Sequence, residues 1–479
     1  MLGLLSLGGG AMGFLAEMRA IVGDRQVLVG ADAGGYGREW TRKYHWQPMA
    51  VVRPGSTAEV AAVVRAVTRE GHAVVPVGGN TGLTGATYAE GAVMVSLERM
   101  NRIEAVNPDA RTAIVEGGVV VAALHAAADS HDLVFPLSFG ARGSAMIGGC
   151  LATNAGGSNV LRYGSTRGLC LGIEAVLADG RVLDLMMALH KDNSGYALKD
   201  LFIGSEGTLG IITRAVLKLF PKPRAYATAL VAMHGLAPAL ALLNRLQEMS
   251  GGGVEAFEYM PDLYAARLAR YRPDLAFPFP PDTPATILVE IGATAPLFCG
   301  AGTDGTIPLA NLLEDALAEA IAAGEARDAV IATTGAQRAA FWARREAAAE
   351  ITLTETPIVD TDVAVPLDRV ETFLGQMRVR LAAIDPAARD MVVAHLGDGN
   401  LHYTAYPSRD DPALAETIRA AVDAVATALG GSFSAEHGVG LSKRAAMARH
   451  KDPVALDLMR AVKRSFDPAD RMNPGKLLP

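Results

Sequence analysis

Three glycine-rich stretches, residues 78–85, 140–157 and 204–210, follow one another through the first half of the chain and constrain its fold more than any other feature. The first reads Gly78-Gly79-Asn80-Thr81-Gly82-Leu83-Thr84-Gly85 and follows a strand-like run at 73–77. It lacks the Lys-Ser/Thr ending of a P-loop, which argues against Walker-type ATP binding. A Rossmann turn opens directly into a helix whose N-terminus holds a pyrophosphate. Here the next pattern, 92–97, is another strand. One such loop alone could be a simple turn. Three in order expose many backbone N–H groups with no Cβ in the way, which is what a diphosphate needs where no cation is supplied. Thr81, Ser144, Thr153 and Asn154 add short side-chain donors. Together they imply a large phosphate-bearing cofactor lying across several loops.

The surrounding grammar is mixed. Ser56-Thr57-Ala58-Glu59 is a capping box, and Val60, Val63, Val64 and Val67 carry the helical period up to Gly71. Strands are expected at 51–52 and 112–116, a helix at 119–130, and a hairpin of 172–177 with 182–185 around Asp179-Gly180. Composition shifts at Pro221-Lys222-Pro223. Beyond it, strands at 227–233, 254–259 and 286–291 alternate with alanine-rich helices at 237–249, 312–323 and 414–429, which suggests a second α/β sandwich. Residues 297–308 read as a loop insertion.

Charge and cysteine content narrow the function classes. Lys+Arg is 44 and Asp+Glu is 51 in 479 residues, a net charge of −7 with no basic block. That argues against nucleic-acid binding, which needs a cationic footprint on phosphate. Cys150, Cys170 and Cys299 are far apart and odd in number, which fits a reducing compartment and neither a disulfide framework nor a cysteine zinc site. Residues 1–18 are apolar but lack the basic start of a secretory signal, and Gly8-Gly9-Gly10 should weaken a helix. They read as a loose tail, with Met12 as an alternative start. A run at 225–243 is broken by His234, Gly235 and Pro238, so it reads as strand, turn and helix start rather than a membrane span. The expectation is a cytoplasmic protein.

The motifs taken together resemble a known family. Pro76-Val77-Gly78-Gly79-Asn80-Thr81-Gly82-Leu83, Ile147-Gly148-Gly149 with Ala152-Thr153-Asn154-Ala155-Gly156-Gly157, the stretch 204–213, and Arg471-Met472-Asn473-Pro474-Gly475-Lys476 look like the flavoproteins of the vanillyl-alcohol oxidase superfamily. The branch they resemble is that of the FAD-linked D-2-hydroxy acid dehydrogenases, acting on D-lactate, glycolate or D-2-hydroxyglutarate. The likeness covers residues 40–479. It implies an α+β fold: an FAD-binding domain of vanillyl-alcohol oxidase (PCMH) type with two α+β subdomains, an α/β cap domain, and a C-terminal segment that returns to the FAD domain. The corresponding boundaries are 1–39 for an N-terminal tail and helix, 40–224 for the FAD domain, 225–430 for the cap and 431–479 for the return. The resemblance implies cofactor contacts from Pro76, Gly78, Gly79, Asn80, Thr81, Gly82 and Leu83. Further contacts are implied from Gly143, Ser144, Gly148, Thr153, Asn154, Gly157, Glu206, Gly207, Ile212 and Asn473. Relatives that bind flavin covalently usually place His or Cys in such a loop; Asn80 stands in this one, so FAD is expected to be non-covalent.

His395 and His402 flank Leu396-Gly397-Asp398-Gly399-Asn400-Leu401. If 397–400 is a hairpin loop, the two histidines fall opposite or nearly opposite each other, with Cβ atoms about 5 Å apart on one face. That suits two imidazoles on one Zn²⁺ at about 2.0–2.1 Å, and it equally suits two structural histidines stiffening a turn. Glu436 could be a third ligand, although no local spacing links it to the pair. The family resemblance implies that His395, His402 and Glu436 hold a divalent metal, with Zn²⁺ expected and Mn²⁺ or Co²⁺ tolerated by the same donors. It implies His437 as general base and Arg345 as the guanidinium that holds the substrate carboxylate. Otherwise His437 is a core histidine and Arg345 a surface helix arginine. In this chemistry the metal acidifies the alcohol, histidine takes the proton, and the C2 hydride goes to the flavin.

The chain also departs from the family pattern. Asp360 stands where D-2-hydroxyglutarate dehydrogenases would carry a lysine, Ala349 where Thr or Ser is expected, and Thr404 where Asn is expected. A carboxylate at 360 would repel a second substrate carboxylate, unless it pairs with an arginine and faces away. The expected substrate is therefore a D-2-hydroxy acid with a neutral or amine-bearing side chain. The electron acceptor would be an electron-transfer flavoprotein or a quinone, and relatives are often homodimers. Two alternatives stay open: a metal-free FAD oxidase of an alcohol or sugar, and a flavin-binding subunit without its own activity.

Overall fold

The computed structural model describes residues 9–300 and 307–479, and the chain divides into two compact units. The first comprises residues up to Ala155, Ser165–Phe220 and Glu436–Pro479; the second comprises Gly156–Gly164 and Pro221–Ala435. No described helix is long and apolar enough to cross a membrane.

The first unit holds two sheets. A four-stranded sheet runs in the order Val27–Leu28, Ala50–Val52, Val93–Ser96, Val74–Val77, and its last three strands are parallel. The helix Thr57–Arg69 joins two of them and is capped as its sequence predicts: Ser56 Oγ accepts from Glu59 N–H at 3.2 Å, and Glu59 Oε2 accepts from Gly55 N–H at 2.7 Å. Its Val60, Val63, Val64 and Val67 are fully buried. The second sheet, antiparallel, runs Ile103–Asn107, Thr112–Glu116, Ile211–Lys218, Cys170–Val176, Val182–Leu185.

The helix expected within 1–39 is present as Gly9–Val22, and it takes in much of the stretch read as a loose tail. Phe14, Leu15, Met18 and Val22 form one buried stripe in the core that also holds the valines of Thr57–Arg69. Packing of that stripe outweighs the glycines at its start, since tertiary burial supplies most helix stability. Residues 1–8 lie outside the described residues. Within the glycine-rich 140–157 there is a helix, Ile147–Thr153, with Ile147, Cys150 and Leu151 buried.

The second unit is built on one seven-stranded sheet in the order Ala326–Ile331, Ala225–Met233, Ala285–Ala293, Val254–Pro261, Arg389–His395, Asn400–Tyr406, Val359–Ala364. Every pairing is antiparallel, so the alternation of strands and helices does not make the parallel sheet of an α/β sandwich. Helices cover both faces, which is why its central strands read as nearly unbroken apolar runs. Leu236–Met249, Pro308–Ala322, Val370–Ile384 and Pro412–Ala428 bury one face, meeting Phe257, Ala394, Leu401 and Tyr403. Asp262–Tyr271, Gly335–Glu346 and Ala348–Thr352 cover the other, meeting Met260, Leu288, Met391 and Val393. The insertion expected at 297–308 includes residues 301–306, outside the described residues; the helix after it begins at Pro308.

Met18 tests the packing account of the first helix. It is fully buried, so Met18→Ala should cost about 2–4 kcal/mol, read as a lower urea midpoint at unchanged m-value.

Candidate active site

In the first unit the glycine loops converge at the end of the strand Val74–Val77. Gly79 lies against the second glycine stretch so closely that a Cβ there would stand 2.0 Å from Ser144 O. Gly207, at φ +73°, passes Pro76 in the same way, at 2.5 Å. Gly148 donates its N–H to Gly117 O at 2.7 Å, and a Cβ there would meet Gly117 O at 3.0 Å and Ile212 O at 3.2 Å. Asn80 and Asn154 both adopt left-handed backbone, and their side chains fix neighbours: Asn80 Nδ2 donates to Arg38 O at 2.7 Å, and Asn154 Oδ1 accepts from Arg167 N–H at 2.9 Å. Thr153 Oγ1 donates back to Gly149 O within its helix at 3.0 Å. At Gly82, Gly143 and Gly149, nothing comes within 4 Å of where a Cβ would stand.

The C-terminal motif closes this cluster. Asn473 N–H donates to Val74 O at 2.7 Å, and its Nδ2 donates to Ala86 O at 3.0 Å and Glu206 O at 2.7 Å. Asn473 Oδ1 is buried without a hydrogen-bond partner. Glu206, expected as a cofactor contact, turns its carboxylate to the chain: Oε1 accepts from Val439 N–H at 2.6 Å and Oε2 from Gly440 N–H at 2.7 Å. Burial raises the pKa of Glu206, and these two N–H groups work against that rise. Residues 438–440 are thereby fixed directly after Glu436 and His437, whose side chains lie 3.7 Å apart at closest approach.

Lys476 is buried in the same unit. Its Nζ donates to Pro474 O at 3.0 Å and stands 5.7 Å from the centre of the Tyr88 ring. Burial, helped by Arg444, lowers its pKa to about 8.

In the second unit a polar row crosses the helix-covered face that bears Met391 and Val393. Glu258 pairs with His395, His395 with Asn400, His402 with Asp362, and Asp360 with Thr404. His395 and His402 are therefore diagonal neighbours rather than opposite ones, with ring centres 5.3 Å apart. The turn is residues 396–399, one position earlier than expected. Asn400 is drawn into the strand because its Nδ2 donates to Asp362 Oδ1 at 2.8 Å and to Val363 O at 3.2 Å.

Fully buried Glu258 joins two of the predicted site residues. His395 Nδ1 lies 2.9 Å from its Oε1 and 2.8 Å from its Oε2, and Oε2 also accepts from Arg345 Nε at 2.8 Å. Burial alone would raise its pKa, but His395 and the Arg345 guanidinium beside it overcome that and hold it at about 2. Arg345 Nη2 is buried and has no hydrogen-bond partner among the described residues. Asp360, on the edge strand and exposed, accepts from Thr404 Oγ1 at 2.8 Å. Two of the three departures from the family pattern are thus bonded to each other across the strands.

Asp362 was not singled out in the sequence. Its ligand-capable oxygen and a ring nitrogen of His402 lie within 4.8 Å, as do those of Glu436 and His437. Ala435 N–H donates to Asp362 Oδ2 at 3.2 Å, and Glu436 is the next residue in the chain. The available signals were an acidic pair at alternate positions, Asp360 and Asp362, and two glutamates, Glu255 and Glu258, in an otherwise apolar strand.

Comparison with known proteins supplies the family. Residues 48–186 match the FAD binding domain family, and residues 222–477 match the family of FAD linked oxidases, C-terminal domain. The mitochondrial D-2-hydroxyglutarate dehydrogenase of Bos taurus is 35% identical over 467 residues, 97% of this chain and 83% of the relative. The D-2-hydroxyglutarate dehydrogenase of Xanthomonas citri pv. viticola is 36% identical over 471 residues, 97% of this chain and 96% of the relative. The chain belongs to the FAD-linked D-2-hydroxy acid dehydrogenases. Its fold is also that of p-cresol methylhydroxylase with substrate bound (TM-score 0.73, 16% identity, 98% of this chain and 97% of that one). Alkyldihydroxyacetonephosphate synthase shares it as well (TM-score 0.72, 17% identity, 97% and 86%).

The residues of this flavoenzyme fit FAD. The open sides of Gly82, Gly143 and Gly149 leave room for a group to approach the backbone, and Asn473 Oδ1 is a buried acceptor awaiting a donor.

The Lys476 environment makes a pH-dependent prediction. Its folded pKa of about 8 lies below the ordinary 10.5, so the charged form opposes folding at pH 7 and that penalty fades as pH rises from 8 toward 10.5. Lys476→Met should therefore stabilise the apoprotein by about 1–3 kcal/mol at pH 7 and by much less near pH 10, measured by urea unfolding at both values.

Proposed function

We propose that this enzyme oxidises a D-2-hydroxy acid with an uncharged or amine-bearing side chain to the 2-oxo acid, using FAD and a divalent metal. The observation that carries the reading is Arg345: a buried guanidinium held by Glu258 through Nε, with Nη2 left for an anion. A planar fork of donors suits a carboxylate.

The residues divide the work. The loops around Gly78–Gly79, Ser144 and Asn473 hold FAD, which when bound accepts the C2 hydride. The family resemblance assigns His395, His402 and Glu436 to the metal, and Asp362 adds a further carboxylate beside His402. Imidazole and carboxylate donors suit Zn²⁺, which when bound supplies a Lewis acid for the substrate hydroxyl and carboxylate. Arg345 binds and orients that carboxylate. His437 takes the hydroxyl proton, so the alcohol loses one proton to the imidazole and one hydride to the cofactor. An electron-transfer flavoprotein or a quinone is the proposed final acceptor.

Asp360 and Thr404 set the side-chain preference. Two carboxylates about 4 Å apart repel by about 1 kcal/mol in water and about 4 kcal/mol in a partly dry site. Asp360 is exposed, so the lower end applies until substrate covers it.

The test is anaerobic bleaching of the flavin by a panel of D-2-hydroxy acids on metal-analysed protein. D-lactate or D-2-hydroxybutyrate should exceed D-2-hydroxyglutarate in kcat/KM by about tenfold or more, and the double variant Asp360→Lys, Thr404→Asn should reverse the order. A wild-type preference for D-2-hydroxyglutarate overturns the side-chain assignment, and no bleaching by any hydroxy acid overturns the enzymatic reading. Chelation should lower kcat/KM by at least about tenfold, restored by Zn²⁺, Mn²⁺ or Co²⁺; full activity in metal-free protein removes the metal from the scheme.

A further inference from the structure

We infer that Glu258 is a positioning residue that sets the substrate-carboxylate arginine and a metal-ligating histidine with one carboxylate. The inference rests on the roles proposed above for Arg345 and His395.

Glu258 is fully buried on the strand Val254–Pro261 and stands in register opposite His395. Its carboxylate serves two partners. His395 Nδ1 lies 2.9 Å from Oε1 and 2.8 Å from Oε2, and Oε2 also accepts from Arg345 Nε at 2.8 Å. With Nδ1–H donating to the carboxylate, the lone pair of the imidazole is placed on Nε2, the nitrogen that would ligate a metal. With Nε held by the same carboxylate, the guanidinium plane is fixed and Nη2 remains for an anion. Loss of the carboxylate would free the imidazole tautomer and the guanidinium rotation together.

The same helix supplies an internal contrast. Gly335–Glu346 also carries Arg338 and Trp342, and these meet a second buried carboxylate, Glu290. Arg338 donates to Glu290 through Nε and Nη2 at 2.6 Å each, Trp342 Nε1 at 2.9 Å and Thr228 Oγ1 at 2.7 Å. Glu290 thus docks the helix through residues that have no assigned part in the chemistry. Glu258 instead spends its oxygens on the two that do.

The experiment compares Glu258→Gln, Glu258→Asp and Glu290→Gln as FAD-loaded holoenzymes. It measures Zn²⁺ affinity by chelator competition, oxalate affinity by perturbation of the flavin spectrum, KM and kcat for the preferred hydroxy acid, and Tm. A glutamine has one acceptor oxygen where the carboxylate has two. Glu258→Gln should therefore weaken Zn²⁺ binding by about 10–100-fold and also weaken oxalate binding and raise KM by about tenfold. Glu258→Asp keeps the charge on a shorter arm and should show smaller losses in both, which keeps the test decisive if the glutamine variant does not fold. Glu290→Gln should lower Tm while leaving Zn²⁺ affinity near that of wild type. Wild-type Zn²⁺ and oxalate affinities in either Glu258 variant, or a loss confined to one of the two ligands, overturns the inference. A wild-type enzyme that binds neither Zn²⁺ nor oxalate would instead count against the proposed function itself.

Discussion

An ionised carboxylate in the middle of a seven-stranded sheet is the interaction on which the second unit's chemistry depends. Removing a charge from water costs several kcal/mol unless partners of opposite charge replace the solvent. At Glu258 those partners are the His395 imidazole and the Arg345 guanidinium, one from a neighbouring strand and one from a covering helix. Neither partner can wander without leaving the buried carboxylate under-satisfied, so the need to satisfy Glu258 holds helix and strand in one arrangement. Stability and positioning arise here from the same two hydrogen bonds.

Register turns this local demand into an extended surface. Because strand side chains alternate between faces, fixing Glu258 opposite His395 also commits Asn400, His402, Asp362, Asp360 and Thr404 to the same side. A slip of one residue would send the histidines into the apolar layer occupied by Ala394, Leu401 and Tyr403. The hydrophobic packing of the opposite face therefore guards the polar row as effectively as its own hydrogen bonds do.

Much of this was legible in the sequence where the cause is local. The cap at Ser56–Glu59, the valine period behind it, and the glycines at turns are decided within a few residues. The buried strands at 225–233, 254–261 and 285–293 announced themselves as apolar runs. Causes that lie far apart in the chain were harder to read. Glu258 and His395 are 137 positions apart, and nothing near either one signals the other. The role of Asp362 follows from strand order, which places Val359–Ala364 beside Asn400–Tyr406 at the sheet edge. The start of the helix Gly9–Val22 and the whole of Ile147–Thr153 were hidden because glycine lowers intrinsic helix propensity, while the packing that overrides it is visible only in three dimensions. The glycine loops themselves were read as cofactor loops. Their mutual contacts show that some of those glycines, such as Gly79 and Gly207, are needed first to let one loop pass another.

The clamp at Glu206 has a consequence for how the enzyme is made. Glu206 waits for Val439 and Gly440 with its carboxylate and for Asn473 with its carbonyl, partners that lie 233 to 267 positions further along the chain. While a ribosome is still translating the second unit, the loops at 78–85 and 140–157 can exist, but the pieces that close them do not. Domains tend to fold as they emerge, yet this one is interrupted by another and completed only after Asn473 has been synthesised. Closure of the loops at 78–85 and 140–157 therefore has to follow synthesis of the whole second unit, because the residues that lock them come after it in the chain.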